Sequence, residues 1–274
     1  MTDQYAVMGN PIAQSKSPEI HRVFAQQTGQ DLDYTKLLVP IDQFKTEVKK
    51  FFAAGGKGLN ITVPFKLQAW QLAQVRSERA EQAGSANTLL LGREGRLYAD
   101  NTDGVGLVRD IVNNQHGSLA GKRVLILGAG GAVRGVLGTL LAEKPKQLVI
   151  ANRTLSKAKQ LTQIFSKQGR LLAVGYDQLR GKPFDWVING TAASLQGELP
   201  PLPDGLLNTD AWCYDMMYGA QDTVFMQWAK QQGAAKVMDG LGMLVEQAAE
   251  AFFIWRQVRP KTQPVVEQMR EQLA

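Results

Sequence analysis

Two short segments of the chain gather side chains able to move protons. In Gly58-Leu59-Asn60-Ile61-Thr62-Val63-Pro64-Phe65-Lys66 an apolar strand runs into a hydroxyl, a proline and a lysine at one loop, where functional groups collect on a rigid support. In Asp100-Asn101-Thr102-Asp103-Gly104 two acids and two neutral polar groups crowd a turn ahead of an apolar helical stretch, Val105 to Val112. Lys66 could donate or accept a proton. Each segment also has a plain reading, Lys66 as a solvated lysine and Thr102 or Asp103 as the N-cap of the following helix. Spacing alone does not bring Asp103 to Lys66.

A third segment suits phosphate. Gly128-Ala129-Gly130-Gly131-Ala132 directly follows the apolar run Val124 to Leu127 and opens a helical stretch reaching Glu143, the context a dinucleotide-binding turn requires. Gly128 supplies the tight turn, Gly130 lets backbone approach a pyrophosphate, and the N–H groups of the helix start attract its charge. The strict third glycine is absent, because Val133 stands five after Gly128. A tight connection without a ligand is the alternative. The next apolar run, Leu148 to Ala151, ends in Asn152-Arg153-Thr154 where an NAD site carries an acid for the ribose hydroxyl. Arg153 and Lys157, with the Thr154 hydroxyl, can instead pair with a 2′-phosphate, which favours NADP. In the alternative reading Asn152 and Thr154 cap a helix and both cations are solvated.

These groups need a scaffold, and the hydrophobic pattern supplies an α/β one. From Lys122 onward strand and helix signals alternate, with further strand-like runs at Leu171 to Val174, Trp186 to Asn189 and Trp212 to Asp215, which extends a parallel sheet. The first hundred residues carry strands at Tyr5 to Met8, Tyr34 to Val39, Leu59 to Thr62 and Thr88 to Leu91, and helices at Pro18 to Gln27 and Ile41 to Ala54. Leu89 to Tyr98, turning at Gly92 to Gly95, reads as an antiparallel hairpin. Leu241 to Val258 shows an apolar stripe at helical spacing, and Pro264 opens a last short helix.

The chain has 274 residues, which favours two domains over one or three. With 44% hydrophobic and 20% charged residues it is a folded globular protein rather than a disordered one. Lys and Arg are scattered despite the net charge of +6, so small anionic ligands or solubility explain the surplus better than nucleic acid does. A single cysteine, Cys213, excludes an internal disulfide and suits a reducing cytoplasm; no metal site is expected. Neither an export leader nor a run near the ~18 apolar residues of a membrane span is present.

The chain resembles the shikimate dehydrogenase family. The resemblance rests on Gly9-Asn10-Pro11-Ile12 with Ser15-Lys16-Ser17-Pro18, Asn60 to Lys66, Asn87-Thr88-Leu89, Asn101 to Gly104, the glycine turn, Asn152-Arg153-Thr154, Tyr214-Asp215-Met216-Met217-Tyr218 and Asp239 to Ala249, in that order. It implies a two-domain α/β fold. A substrate lobe with a mixed, mainly parallel sheet comprises residues 1–104 with 241–274, and a Rossmann-type NADP-binding domain, 105–240, is inserted, with the active site in the cleft.

The resemblance also assigns roles. Lys66 and Asp103 become a catalytic dyad. Ser15, Ser17 and Tyr218 hold the substrate carboxylate with Thr62 nearby, while Asn87, Asp103, Lys66 and Gln247 contact ring hydroxyls. Thr191, Met216 and Gly240 follow the nicotinamide side of the cofactor, and Asn189 lines the crevice. Where the family often has His before the first serine, this chain has Gln14, which keeps a donor and an acceptor. His21 and His116 sit in no recognisable site motif.

The implied activity is reversible NADPH-dependent reduction of 3-dehydroshikimate to shikimate, in aromatic amino-acid (chorismate) biosynthesis, by a monomer or homodimer in the cytoplasm. Its rivals are a quinate/shikimate dehydrogenase and a nucleotide-sensing protein of the same fold without chemistry.

Overall fold

The computed structural model describes residues 2–273. The chain divides into two compact units. One runs to Gly106 and includes Val245–Val265; the other holds Leu107–Leu244 and the chain from Val266 onward. The expected division after residues 104 and 240 compares with packing boundaries after Gly106 and Leu244, and the last helix groups mainly with the second unit.

The first unit contains β1 (Asp3–Gly9), α1 (Ser17–Thr28), β2 (Leu32–Leu38), α2 (Phe44–Ala53), β3 (Gly58–Ile61), α3 (Lys66–Leu72), β4 (Val75–Arg76), α4 (Glu78–Ala83), β5 (Thr88–Leu91) and β6 (Leu97–Asp100). Its sheet has the order β2-β1-β3-β5-β6-β4. Strands β2, β1 and β3 are parallel, β5 is antiparallel to both its neighbours, and β4 runs parallel to β6. The hairpin read from Leu89 to Tyr98 is the β5–β6 pair.

Strand β1 is covered on both faces, as its unbroken Tyr-Ala-Val-Met run requires. Ala6 and Met8 pack with Val39, Leu59, Ile61 and Phe65, whereas Tyr5 and Val7 pack with Ile12 and Tyr34. Each large apolar side chain so enclosed stabilises the fold by about 1.5–3 kcal/mol.

The second unit begins in α5 (Asp103–Arg109) and continues through β7 (Arg123–Leu127), α6 (Gly131–Ala142), β8 (Gln147–Ala151), α7 (Leu155–Ile164), β9 (Leu171–Val174), β10 (Phe184–Asn189), β11 (Leu207–Asp215), α8 (Val224–Gln231) and β12 (Lys236–Met238). Two helices follow, α9 (Leu241–Arg256) and α10 (Gln263–Leu273). The six strands are all parallel in the order β12-β11-β10-β7-β8-β9. That is the doubly wound dinucleotide-binding order, with the direction of winding reversing between β7 and β10. Alternate residues of β7 enter opposite cores, Val124 and Ile126 on one face, Leu125 and Leu127 on the other. Cys213, fully buried towards the C-terminal end of β11, lies in the second of these layers.

Several elements depart from the expectation. Lys66 does not end a loop but opens α3, and Val105 to Val112 is not one regular helix. Its α-helical part ends at Arg109 and a wider π turn covers Asp110–Asn114. There the buried Asp110 carboxylate accepts hydrogen bonds from the Tyr214 hydroxyl at 2.6 Å and the Asn114 amide at 3.0 Å. Burial raises the Asp110 pKa against the opposing effect of these donors. Among the described residues no helix is long and apolar enough to cross a membrane.

Candidate active site

In the first unit the strand ends bring Lys66 and Asp103 together. Phe65, wholly buried and stacked on Phe44 at 4.8 Å, anchors the entry to α3 and leaves Lys66 half-buried beside it. The Lys66 carbonyl accepts the Ala86 N–H at 2.9 Å, which ties α3 to the start of β5. Lys66 Nζ then lies 2.5 Å from Asp103 Oδ2, with 31% and 13% of the two side chains exposed. The pair is thus shielded yet reachable, as a proton donor to a bound ligand must be.

Asn87 organises the rest. Its Oδ1 accepts the Thr102 backbone N–H at 3.0 Å, which fixes the amide with Nδ2 turned towards Asp103 Oδ1 at 2.8 Å. The same nitrogen lies 2.9 Å from Thr102 Oγ1 and 3.2 Å from Gln247 Oε1 on α9. Two amide protons are thus shared among three acceptors.

A second polar group stands near the start of α1. Ser15 Oγ donates to Ser17 Oγ at 3.2 Å and accepts the Ser17 N–H at 3.3 Å. Gln14 is exposed beside them. Thr62, half-buried, donates its N–H to Met8 O at 3.0 Å. A Cβ at Gly9 would stand 2.5 Å from the Thr62 methyl, so glycine there lets the threonine settle at the end of β1.

Tyr34 and Asn60 were not legible as site residues. The Tyr34 hydroxyl donates to Asn60 Oδ1 at 2.7 Å, and Asn60 Nδ2 donates to Asn87 O at 3.2 Å. Burial holds the Tyr34 phenol well above its ordinary pKa despite a hydrogen bond with Ser17. A buried polar line therefore runs from Ser17 to Asn87. Its one sequence signal is an asparagine inside the apolar strand Leu59-Asn60-Ile61.

In the second unit the dinucleotide features gather at the C-terminal ends of the strands, where ligands of such sheets bind. Gly128 has φ +101°, a conformation reserved for glycine, and donates its N–H to Ala151 O at 2.8 Å. Gly130 caps α6 with no side chain occupying the helix end. A Cβ built at Gly130 or Gly131 meets nothing within 4 Å. The turn is thus open in front of the N–H groups of the helix start, which fits a pyrophosphate; Ala132 follows in the first turn.

The other cofactor candidates lie around that edge. Across the switch point a Cβ at Gly128 would stand 3.1 Å from the Thr191 methyl. Asn189 Oδ1 accepts both the N–H and the hydroxyl of Thr191, at 3.1 and 2.8 Å, and Asn189 Nδ2 donates to Asp215 Oδ1 at 3.1 Å. Asp215, fully buried and not singled out from sequence, also accepts the Met217 N–H at 3.1 Å and the Thr223 hydroxyl at 2.6 Å.

Gly240 donates its N–H to Met217 O at 2.9 Å, and a Cβ on it would stand 2.3 Å from Met216 O. Thr191, Met216 and Gly240 thus share one strand-end cluster. Asn152 Nδ2 donates to Thr154 O at 2.9 Å, but the Thr154 side chain does not cap α7, so helix capping does not account for that residue. Arg153, Thr154 and Lys157 are exposed. Tyr218 belongs to this second unit.

Comparison with known proteins completes the description. Residues 7–89 match the shikimate dehydrogenase substrate binding domain, 110–196 the shikimate / quinate 5-dehydrogenase model, and 240–273 the shikimate 5′-dehydrogenase C-terminal domain. A shikimate dehydrogenase (NADP(+)) of Cellvibrio japonicus is 63% identical, covering 100% of this chain and 99% of its own. That of Alkalilimnicola ehrlichii is 62% identical over 98% and 99%.

Among solved structures, an Ael1 enzyme from Pseudomonas putida is 49% identical with a TM-score of 0.93, covering 97% of this chain and 98% of its own. The shikimate 5-dehydrogenase of Thermus thermophilus, in complex with NADP(H) and shikimate, is 30% identical with a TM-score of 0.87 over 99% and 100%. With three family models in chain order and two relatives above 60% identity over nearly their full lengths, the chain belongs to the shikimate dehydrogenase family.

Proposed function

We infer that this chain reduces the ring ketone of 3-dehydroshikimate to shikimate with NADPH, reversibly, and that Lys66 and Asp103 are its catalytic pair. The 2.5 Å contact between Lys66 Nζ and Asp103 Oδ2 carries the reading, because an ammonium held in this way can meet a ring ketone as its proton donor. Residues 1–104 with 241–274 serve the substrate and 105–240 the dinucleotide. Bound NADPH supplies the hydride that adds to the ketone carbon.

The remaining work falls to side chains of this chain. Lys66 gives its proton to the ketone oxygen, which becomes the hydroxyl, and regains one from solvent. Asp103 holds Lys66 in place, so the proton is delivered from a fixed direction rather than by a mobile side chain. Asn87 and Gln247 contact the ring hydroxyls. Ser15, Ser17 and Tyr218 hydrogen-bond the carboxylate with Thr62 nearby, a neutral cradle that strengthens as water is excluded.

Gly128, Ala129, Gly130, Gly131 and Ala132 would hold the pyrophosphate. Arg153, Thr154 and Lys157 would take the 2′-phosphate beside Asn152, and Thr191, Met216 and Gly240 would border the nicotinamide.

Absorbance of reduced nicotinamide, followed with shikimate or quinate and with NADP or NAD, tests the assignment. Signal concentrated in shikimate with NADP is expected; activity chiefly with quinate and NAD would overturn it. Arg153→Ala should raise the KM for NADP about ten- to hundred-fold, the worth of one charge-assisted phosphate contact, and leave turnover with NAD unchanged. Equal effects on both cofactors would remove Arg153 from the 2′-phosphate.

A further inference from the structure

Arg79 ties the loop that carries Asp103 to the helix that carries Gln247, where Glu250 Oε2 also accepts from Arg259 Nη1 at 2.9 Å. Arg79, in the six-residue helix α4, donates from Nε to Asp100 Oδ1 at 2.6 Å and from Nη2 to Asp100 Oδ2 at 2.9 Å. Its Nη2 also lies 3.1 Å from Glu250 Oε1. Both acids are nearly closed to solvent, with 4% and 8% of their side chains exposed. Asp100 stands three residues before Asp103. Glu250 stands three after Gln247, on the adjoining turn and the same face of α9.

The brace continues along the loop. Asp100 Oδ1 accepts the Ser77 hydroxyl at 2.5 Å and the Asn101 N–H at 2.7 Å, and Ser77 Oγ in turn accepts the Ala80 N–H at 3.1 Å, capping α4. At the far end of the helix Asn101 Nδ2 donates to Ser85 O at 3.1 Å, while Asn101 Oδ1 accepts the Asp103 N–H at 3.1 Å. The Asp100 carbonyl accepts the Asn87 N–H at 3.0 Å. Helix α4 thus grips the Asp103 loop at both ends, through Arg79 and Ser77 at its start and Ser85 past its close.

We propose that Arg79 is a positioning residue for the reaction, setting the direction of the Asp103 carboxylate through Asp100 and the reach of Gln247 through Glu250. The proposal rests on the reading of Lys66 and Asp103 as the catalytic pair. Only a planar fork satisfies this geometry, because it bridges both oxygens of one carboxylate and reaches a second. Lysine keeps the charge but not the fork. Displacement of the Asp103 carboxylate on the scale of an ångström is then felt in turnover.

The test uses the full chain and Arg79→Lys, which keeps the buried acids compensated, together with Glu250→Gln and Asp103→Asn. Arg79→Lys should lower kcat about ten- to hundred-fold with an unchanged KM for NADP. Glu250→Gln should act mainly on the KM for shikimate. In the Asp103→Asn background, Arg79→Lys should lower kcat by less than about two-fold, since residues acting through one group are not additive. Normal kcat in folded Arg79→Lys, or equal losses in both backgrounds, would overturn the proposal while leaving the catalytic pair intact. Normal kcat in Asp103→Asn would overturn both.

Discussion

Lys66→Ala should lower kcat for shikimate oxidation by about 10²–10⁴-fold, the usual loss on removing a positioned general acid, and should leave the KM for shikimate within a few-fold. The asymmetry follows from the site. Asn87, fixed by the Thr102 N–H, and Gln247 beside it remain after the truncation, so most of the proposed ring contacts survive. The proposed proton path does not, because it runs through the ammonium held 2.5 Å from Asp103. Steady-state kinetics in both directions, with shikimate binding followed separately by fluorescence, reads the two effects apart. Near-normal turnover would remove Lys66 from the chemistry, and lost binding with preserved turnover would make it a substrate anchor.

The second large effect concerns acid stability and involves no catalytic group. His21 is fully buried in the first unit, stacked flat on Tyr34 at 4.3 Å and edge-on to Phe24 at 5.8 Å. Burial, only partly opposed by Asn60, pushes its imidazole pKa down to about 3 from 6.5. In the unfolded chain the ring takes a proton below its ordinary pKa, while the folded chain refuses it until about 3. Between those limits the unfolded state binds more protons, so stability present near neutral pH is lost as pH falls, by about 1.4 kcal/mol per pH unit from this group.

Urea unfolding at pH 7 and near pH 4.5 reads that loss in the native protein and in His21→Phe, which keeps an aromatic ring against Tyr34. The native protein should lose about 2–3 kcal/mol more than the variant over this interval. Equal losses would show that His21 is not the neutral core group described. The same burial keeps the His21 imidazole neutral at neutral pH.

What could be read in advance follows from the range of the interactions involved. The runs Val124–Leu127 and Leu148–Ala151 are covered on both faces, and such strands announce themselves as unbroken apolar segments. The turn at Gly128 was legible because a backbone with φ +101° excludes other residue types. Helices α3 and α4 were not, since seven and six residues are too few to show a helical period.

The pairing of Lys66 with Asp103 joins residues 37 apart, and that of Arg79 with Glu250 residues 171 apart. No local pattern encodes such contacts; the first was expected through family resemblance, and the second became visible only with the sheet order. Asp215 escaped for a related reason. It closes an apolar strand, where a polar residue is ordinary, and its task, orienting Asn189 and Met217, is set by neighbours on other elements.

The burial of Cys213 gives the second unit a clock. Its thiol lies towards the C-terminal end of β11, between Val187 and Val237 on the flanking strands, and burial pushes its pKa up to about 12. Alkylating reagents attack thiolates, so the native sheet presents neither access nor the reactive form. Labelling must wait for β10, β11 and β12 to part, and its rate rises with the population of that opened form. Because the chain has no other cysteine, the signal comes from the dinucleotide-type sheet alone, while the acid response of His21 reports on the other unit.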